Sequence, residues 1–160
     1  VGNYVYANKD AGLAVASGGS PLVEGNEFMH GHSYGCYFFL KGNGEVRHNK
    51  IYNHAQANVC ITYGSNPTVV ANAIFNGSAE GVSVMQEGAG TLERNEIYHN
   101  YECNVMLQFD ATPVFRSNRI YNSQKTGVCC YHKSRGVFED NDIFGSDYSG
   151  LAIKTGAAPV

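Results

Sequence analysis

The sequence has no tryptophan, only four prolines, and charged side chains at just 16% of its 160 positions. Each shortage removes a class of protein. A net charge of -3 leaves neither a basic stripe for nucleic acid nor a polybasic patch for anionic lipid, so neither partner is expected. No apolar stretch approaches the roughly 18 residues that a membrane-spanning helix needs. No basic segment leading into an apolar one marks a signal peptide. The five cysteines, Cys36, Cys60, Cys103, Cys129 and Cys130, are an odd number at scattered places, which is not a disulfide framework. Cys129 and Cys130 would point to opposite faces of a strand. The thiols therefore read as free, and the protein as intracellular, in the cytoplasm or nucleus.

What the sequence does contain is a repeat. Asn3, Asn26, Asn49, Asn72, Asn95, Asn118 and Asn141 recur at a constant step of 23 with no insertion or deletion. Two residues after each stands an apolar one: Val5, Phe28, Ile51, Ile74, Ile97, Ile120 and Ile143. Three residues before it, from the second repeat on, stand Val23, Val46, Val69, Leu92, Phe115 and Phe138. Ten and twelve residues after it come apolar pairs such as Val59 with Ile61 and Val82 with Val84, a period of two that marks strands. Gly12, Gly35, Asn58, Gly81, Asn104, Gly127 and Gly150 precede these pairs and read as corners with unusual backbone angles.

A fixed unit of short strands and tight corners fits one turn of a parallel β-helix, with coils about 4.8 Å apart. The expected fold is all-β: a single-stranded right-handed parallel β-helix of seven 23-residue coils forming one domain over residues 1–160. Stacked Asn side chains would pass amide hydrogen bonds from coil to coil. A longer period overlies the first. Pro21, Gly44, Pro67, Gly90, Pro113, Gly136 and Pro159 alternate, so the full unit is a 46-residue double coil. A column of large residues, Tyr6, Met29, Tyr52, Phe75, Tyr98, Tyr121 and Phe144, should stack along the outside or close a corner. Val1 enters mid-coil and Val160 stops as another coil begins, so the segment is expected to belong to a longer solenoid, with uncapped ends open to self-association.

Three sets of residues invite chemistry. Glu93, Arg94, Glu96, Arg116, Arg119, Glu139, Asp140 and Asp142 cluster in the last coils, but each Arg lies between carboxylates of neighbouring coils and reads as cross-strand pairing. His30, His32 and His54 are grouped like metal ligands, yet two of them fall in a turn and no Cys or carboxylate joins them. Neither a metal nor another cofactor is expected. Cys60 and Cys129 should face outward with no His beside either, a poor arrangement for a nucleophile. The outward face between the apolar pairs is nearly uncharged. Tyr37, Phe39, Met85, Met106, Gln108 and Tyr131 on that face suit the core of a protein or peptide contact.

The segments GVFEDNDI (Gly136–Ile143), GTLERNEI (Gly90–Ile97) and GLAIKTG (Gly150–Gly156) resemble β-helix repeats of the carbohydrate-binding and sugar-hydrolase class. They are most similar to the substrate-binding region of F-box ubiquitin-ligase receptors. That resemblance implies a scaffold holding a protein partner, such as a ubiquitin-ligase substrate, without a cofactor or active-site residues. The alternative is a carbohydrate-active enzyme, a polysaccharide lyase, hydrolase or epimerase, working through the charged face at Arg116, Arg119, Asp140 and Asp142.

Overall fold

The computed structural model describes residues 1–160 and consists of short strands and turns. Strands Tyr4–Tyr6, Glu27–Met29, Lys50–Tyr52, Ala73–Phe75, Glu96–Tyr98, Arg119–Tyr121 and Asp142–Phe144 form a first sheet directly after the repeated Asn. A second seven-stranded sheet holds Leu13–Val15, Cys36–Phe38, Val59–Ile61, Val82–Val84, Cys103–Leu107, Thr126–Cys130 and Leu151–Ile153. A third, six-stranded sheet holds Leu22–Glu24, Glu45–Arg47, Thr68–Val70, Thr91–Glu93, Val114–Arg116 and Val137–Glu139. Every pairing is parallel and the register does not slip: Val5 faces Phe28, Val59 faces Val82, and Leu92 faces Phe115. The chain is the parallel β-helix that the 23-residue step predicts.

The three inward columns meet on the axis. Ile51, Ile74, Ile97 and Ile120 from the first sheet, Val59, Ile61, Val82 and Val84 from the second, and Val69, Leu92 and Phe115 from the third are fully buried in one continuous cluster. Each such side chain contributes about 1.5–3 kcal/mol on removal from water. Between the third and first sheets the Asn column forms an unbroken ladder. Each Asn Oδ1 accepts from the backbone N–H and the amide Nδ2 of the Asn one coil before it, for example Asn72 N to Asn95 Oδ1 at 2.9 Å and Asn72 Nδ2 to Asn95 Oδ1 at 3.1 Å. The same Nδ2 also donates to Val46 O and Val70 O.

The corners differ from the sequence expectation. Gly12, Gly35, Gly81, Gly127 and Gly150 do not have positive φ; the left-handed angles fall elsewhere, on Asn53 (φ 58), Asn76 (φ 53) and His99 (φ 54) after the first sheet, and on Tyr63, Gln86 and Phe109 (φ 49 to 51) after the second. Gly35 is required for space. A Cβ there would lie 2.4 Å from Asn58 O and 2.8 Å from the His54 ring.

The same need for space recurs at a nearby column over the four coils from Gly31 to Asn100. His54 and Asn100 occupy one inward corner position in alternate coils, and each leans over a glycine of the coil before it, Gly31 or Gly77. Gly31 N–H donates to His54 Nδ1 at 3.2 Å, and Gly77 N–H donates to Asn100 Oδ1 at 2.9 Å. Asn58 and Asn104 close the network, with Asn100 donating to Asn104 and accepting from Asn58, both at 2.9 Å.

Two outcomes follow. Asn95→Ala leaves the buried Asn72 N–H without its acceptor and should cost about 2–4 kcal/mol, read by denaturant unfolding, whereas Asn3→Ala at the exposed end of the ladder should cost far less. Burial, with help from the His30 charge, holds the His54 pKa below its ordinary 6.5, although the Phe28 carbonyl works the other way. The folded state thus binds this proton less readily than the unfolded chain, so the stability present above pH 6.5 is lost as the pH falls below it. His54→Asn, which copies Asn100, should flatten that decline; an unchanged slope of stability against pH would reject this role for His54.

Candidate functional site

The outside of the first sheet is ordered by stacking. Tyr52, Phe75, Tyr98, Tyr121 and Phe144 stand face to face with ring centroids 4.8 to 5.1 Å apart and planes within 8°. Because each ring covers the faces of its neighbours, the ladder shows mainly edges to solvent and is structural. The charged columns are paired as expected: Arg119 to Glu96 at 3.1 Å, Lys50 to Glu27 at 3.1 Å, Arg47 to Glu24 at 3.0 Å, and Arg116 to Glu139. Asp140 and Asp142 are exposed on either side of Asn141, at the corner between the third and first sheets. Of the three histidines, His54 is buried against Gly31 while His30 and His32 are exposed, so they do not converge. No three His, Cys, Asp or Glu side chains come together in a way that could hold a metal ion.

Tyr37, Phe39, Met85, Met106, Gln108 and Tyr131 all lie half-buried on the outer face of the second sheet. They do not make a continuous strip. At its centre stand the small residues Cys60, Thr62 and Ser83, which neighbouring side chains cover to within 2% exposure. Tyr34, Tyr37 and Phe39 pack on one another with centroids 4.7 and 4.6 Å apart.

This face carries ionisable groups that the sequence did not reveal. The Glu80 carboxyl is pushed upward, mainly by burial and also by the charge of Glu102, although its own backbone hydrogen bond opposes the shift. The Cys129 thiol is held well below the usual thiol range by a hydrogen bond from Cys103, and also by the Tyr131 and Thr126 hydroxyls and the Lys154 charge, against its own burial. Cys103 is raised in turn by the same contact. Position along a strand could not show these donors, since they come from other coils and from the strand's own ends.

An open cleft lies at the corner between the first and second sheets. It encloses about 530 Å3 and is lined by Asn53, Asn76, Gly77, Ser78, His99, Tyr101 and Gln124. The left-handed corner residues Asn53, Asn76 and His99 stack in one column, and Ser78, Tyr101 and Gln124 follow two residues later in theirs. Amides, a hydroxyl and an imidazole thus surround one tyrosine that is 48% exposed. Lys125 Nζ sits 4.8 Å from the Tyr101 ring centroid and pairs with Glu102 at 2.7 Å. Through Glu102, whose charge reaches Glu80, the cleft adjoins the raised carboxyl.

A parallel β-helix with a neutral, hydrogen-bonding corner cleft is the class that this fold and site define. The chain matches the family described as the right handed beta helix region over residues 11–160, and it belongs to that family; its coils wind right-handed. No curated protein matches it in sequence. Two solved structures share its fold. A double mutant of the periplasmic alginate epimerase AlgG is 18% identical with a TM-score of 0.82, covering 88% of this chain and 34% of its own. The mannuronan C-5 epimerase AlgE4 A-module of Azotobacter vinelandii is 13% identical with a TM-score of 0.68, covering 97% of this chain and 55% of its own. The chain thus spans about a third and about half of these proteins.

These findings correct two expectations. The protein-interaction scaffold and its ubiquitin-ligase role give way, because the structures that share this fold are epimerases of polysaccharides and the strip assigned to a partner is broken by covered small residues. The intracellular location gives way to a periplasmic neighbour. The five thiols are free, but they are also buried, and burial pushes Cys60 up to about 12 and Cys130 to about 11. Such buried, protonated thiols resist oxidation wherever the protein resides, and Cys129, held below the usual thiol range, is the exception.

Tyr131→Phe removes one donor to Cys129, so the pH midpoint of thiolate absorbance in the ultraviolet should move upward; a midpoint that stays in place would remove Tyr131 from the set.

Proposed function

We propose that this chain is the polysaccharide-handling coil stack of a carbohydrate-active enzyme that works outside the cytoplasm. The observation that carries the reading is the corner cleft. Its amide, hydroxyl and imidazole groups match the donors and acceptors of sugar hydroxyls, and its exposed tyrosine offers a flat face for a pyranose ring. Two of the structures with this fold act on alginate or mannuronan, which supports a polymer as the ligand.

The chemistry open to the site is acid–base. A carboxyl whose pKa is raised can hold or take a proton during lyase, epimerase or hydrolase steps, and we assign that role to Glu80, which burial and the Glu102 charge push upward. The charged columns at Arg116 and Arg119 serve the stack instead, since their charges are already matched.

The test is incubation of the protein with mannuronan and a panel of other polysaccharides. Binding is followed by calorimetry, and turnover by ring-proton NMR. Tyr101→Ala should weaken binding about tenfold, and Glu80→Gln should lower kcat by about 10²–10⁴ with KM little changed. If no polysaccharide binds, or Tyr101→Ala binds as tightly as the parent, the reading is wrong.

A further inference from the structure

A second cavity, of about 480 Å3, lies at the next corner of the coil, between the second and third sheets, and is lined by Tyr63, Gln86, Glu87, Phe109 and Asp110. Its geometry comes from the backbone. Tyr63, Gln86 and Phe109 occupy one column in three successive coils with nearly identical left-handed φ angles of 49, 50 and 51, so their Cα–Cβ bonds leave the chain in the same direction. Tyr63 and Phe109 are therefore two coils apart, about 9.6 Å at the strand spacing. Between them stands the Gln86 amide.

Two further contacts keep the gap open. Gln86 Oε1 accepts a hydrogen bond from Thr62 Oγ1 at 2.7 Å, which ties the amide back toward the second sheet and leaves its nitrogen to donate. Phe109 is stacked on His132 on its far side, with centroids 4.7 Å apart and planes within 4°, which holds that ring across the helix axis. Tyr63 and Phe109 remain 50% and 45% exposed, high values for residues of their size.

We infer that the Tyr63–Phe109 slot is a second saccharide site, taking one uncharged pyranose ring between its two aromatic side chains. A saturated ring in carbon contact of about 3.5–4.0 Å with each face, together with its own pucker, fills most of a gap of about 9.6 Å. Glu87 and Asp110, side by side on neighbouring coils at the wall of the slot, accept hydrogen bonds from vicinal hydroxyls. The same two carboxylates repel a uronate, so the slot selects against the acidic sugars of mannuronan. The inference rests on the reading of the chain as a carbohydrate-active protein, but it uses none of the residues of the first cleft.

The experiment uses cellohexaose as the neutral probe and a mannuronate hexamer as the acidic one, each titrated calorimetrically against the intact chain. Cellohexaose should bind; Phe109→Ala should weaken it about tenfold or more. Gln86→Phe, which completes the aromatic column and blocks the slot, should abolish binding while leaving the melting temperature equal or higher. The mannuronate hexamer should not compete for cellohexaose at this slot. Cellohexaose binding that survives Gln86→Phe, competition by the mannuronate, or no cellohexaose binding at all would overturn the slot. Failure of the first cleft would appear separately, as polysaccharide binding indifferent to Tyr101→Ala.

Discussion

Every position in this protein has its own counterpart about 4.8 Å away on the next coil, and the Asn ladder fixes both the spacing and the phase of that stacking. An amide at this corner satisfies a backbone N–H of one coil and a carbonyl of the strand before it together, as the Asn72 amide does by accepting from Asn49 N–H and donating to Val46 O and Val70 O. A coil with one residue too many would break these bonds and turn every later strand face over. Like must therefore lie over like throughout. Rings over rings give the outer stack from Tyr52 to Phe144. Charges over charges are tolerated where the sign alternates, as between Glu24 and Arg47 or Glu96 and Arg119.

This constraint made some features readable and hid others. The inward Ile and Val columns and the Asn ladder repeat without exception, so their period alone gives the β-helix and its core. The ion pairs could also be read, because pairing one coil apart follows from the same register. Gly35 was misread because a glycine states only that a side chain is missing; whether for φ or for room depends on the neighbour, here His54 and the Asn58 carbonyl. Glu80 carries no signal in its column. Its shift depends on how deeply the second-sheet face covers it, and that cover comes from coils on both sides.

The outward strip was misassigned for a related reason. Alternation along a strand shows that Tyr37, Phe39, Met85, Met106 and Tyr131 share a face, but not that small residues divide them or that the aromatics pack on each other. The groups suited to ligands stand instead at the corners, on left-handed residues such as Asn76, His99 and Phe109. Strand positions are committed in both directions, inward to the core and sideways to the stack. The left-handed corner side chains that line the two cavities escape the first demand and meet the second only in part, and a rigid scaffold holds them at fixed intervals along its length. The separation leaves the corners open to change without cost to the core, which is why the fold is legible from the repeat and the ligand is not.

The alternation of His54 and Asn100 with Gly31 and Gly77 gives these four coils a parity. Removing the coil that carries Gly77 would set His54 directly beneath Asn100, two large polar groups in one space; removing the coil that carries His54 would set Gly31 against Gly77 and leave a hole. Loss of a single coil between Gly31 and Asn100 is therefore penalised even though each coil has the same length, whereas beyond Asn100 the column runs on through Ser123 and Ser146 and the chain can gain or lose coils one at a time.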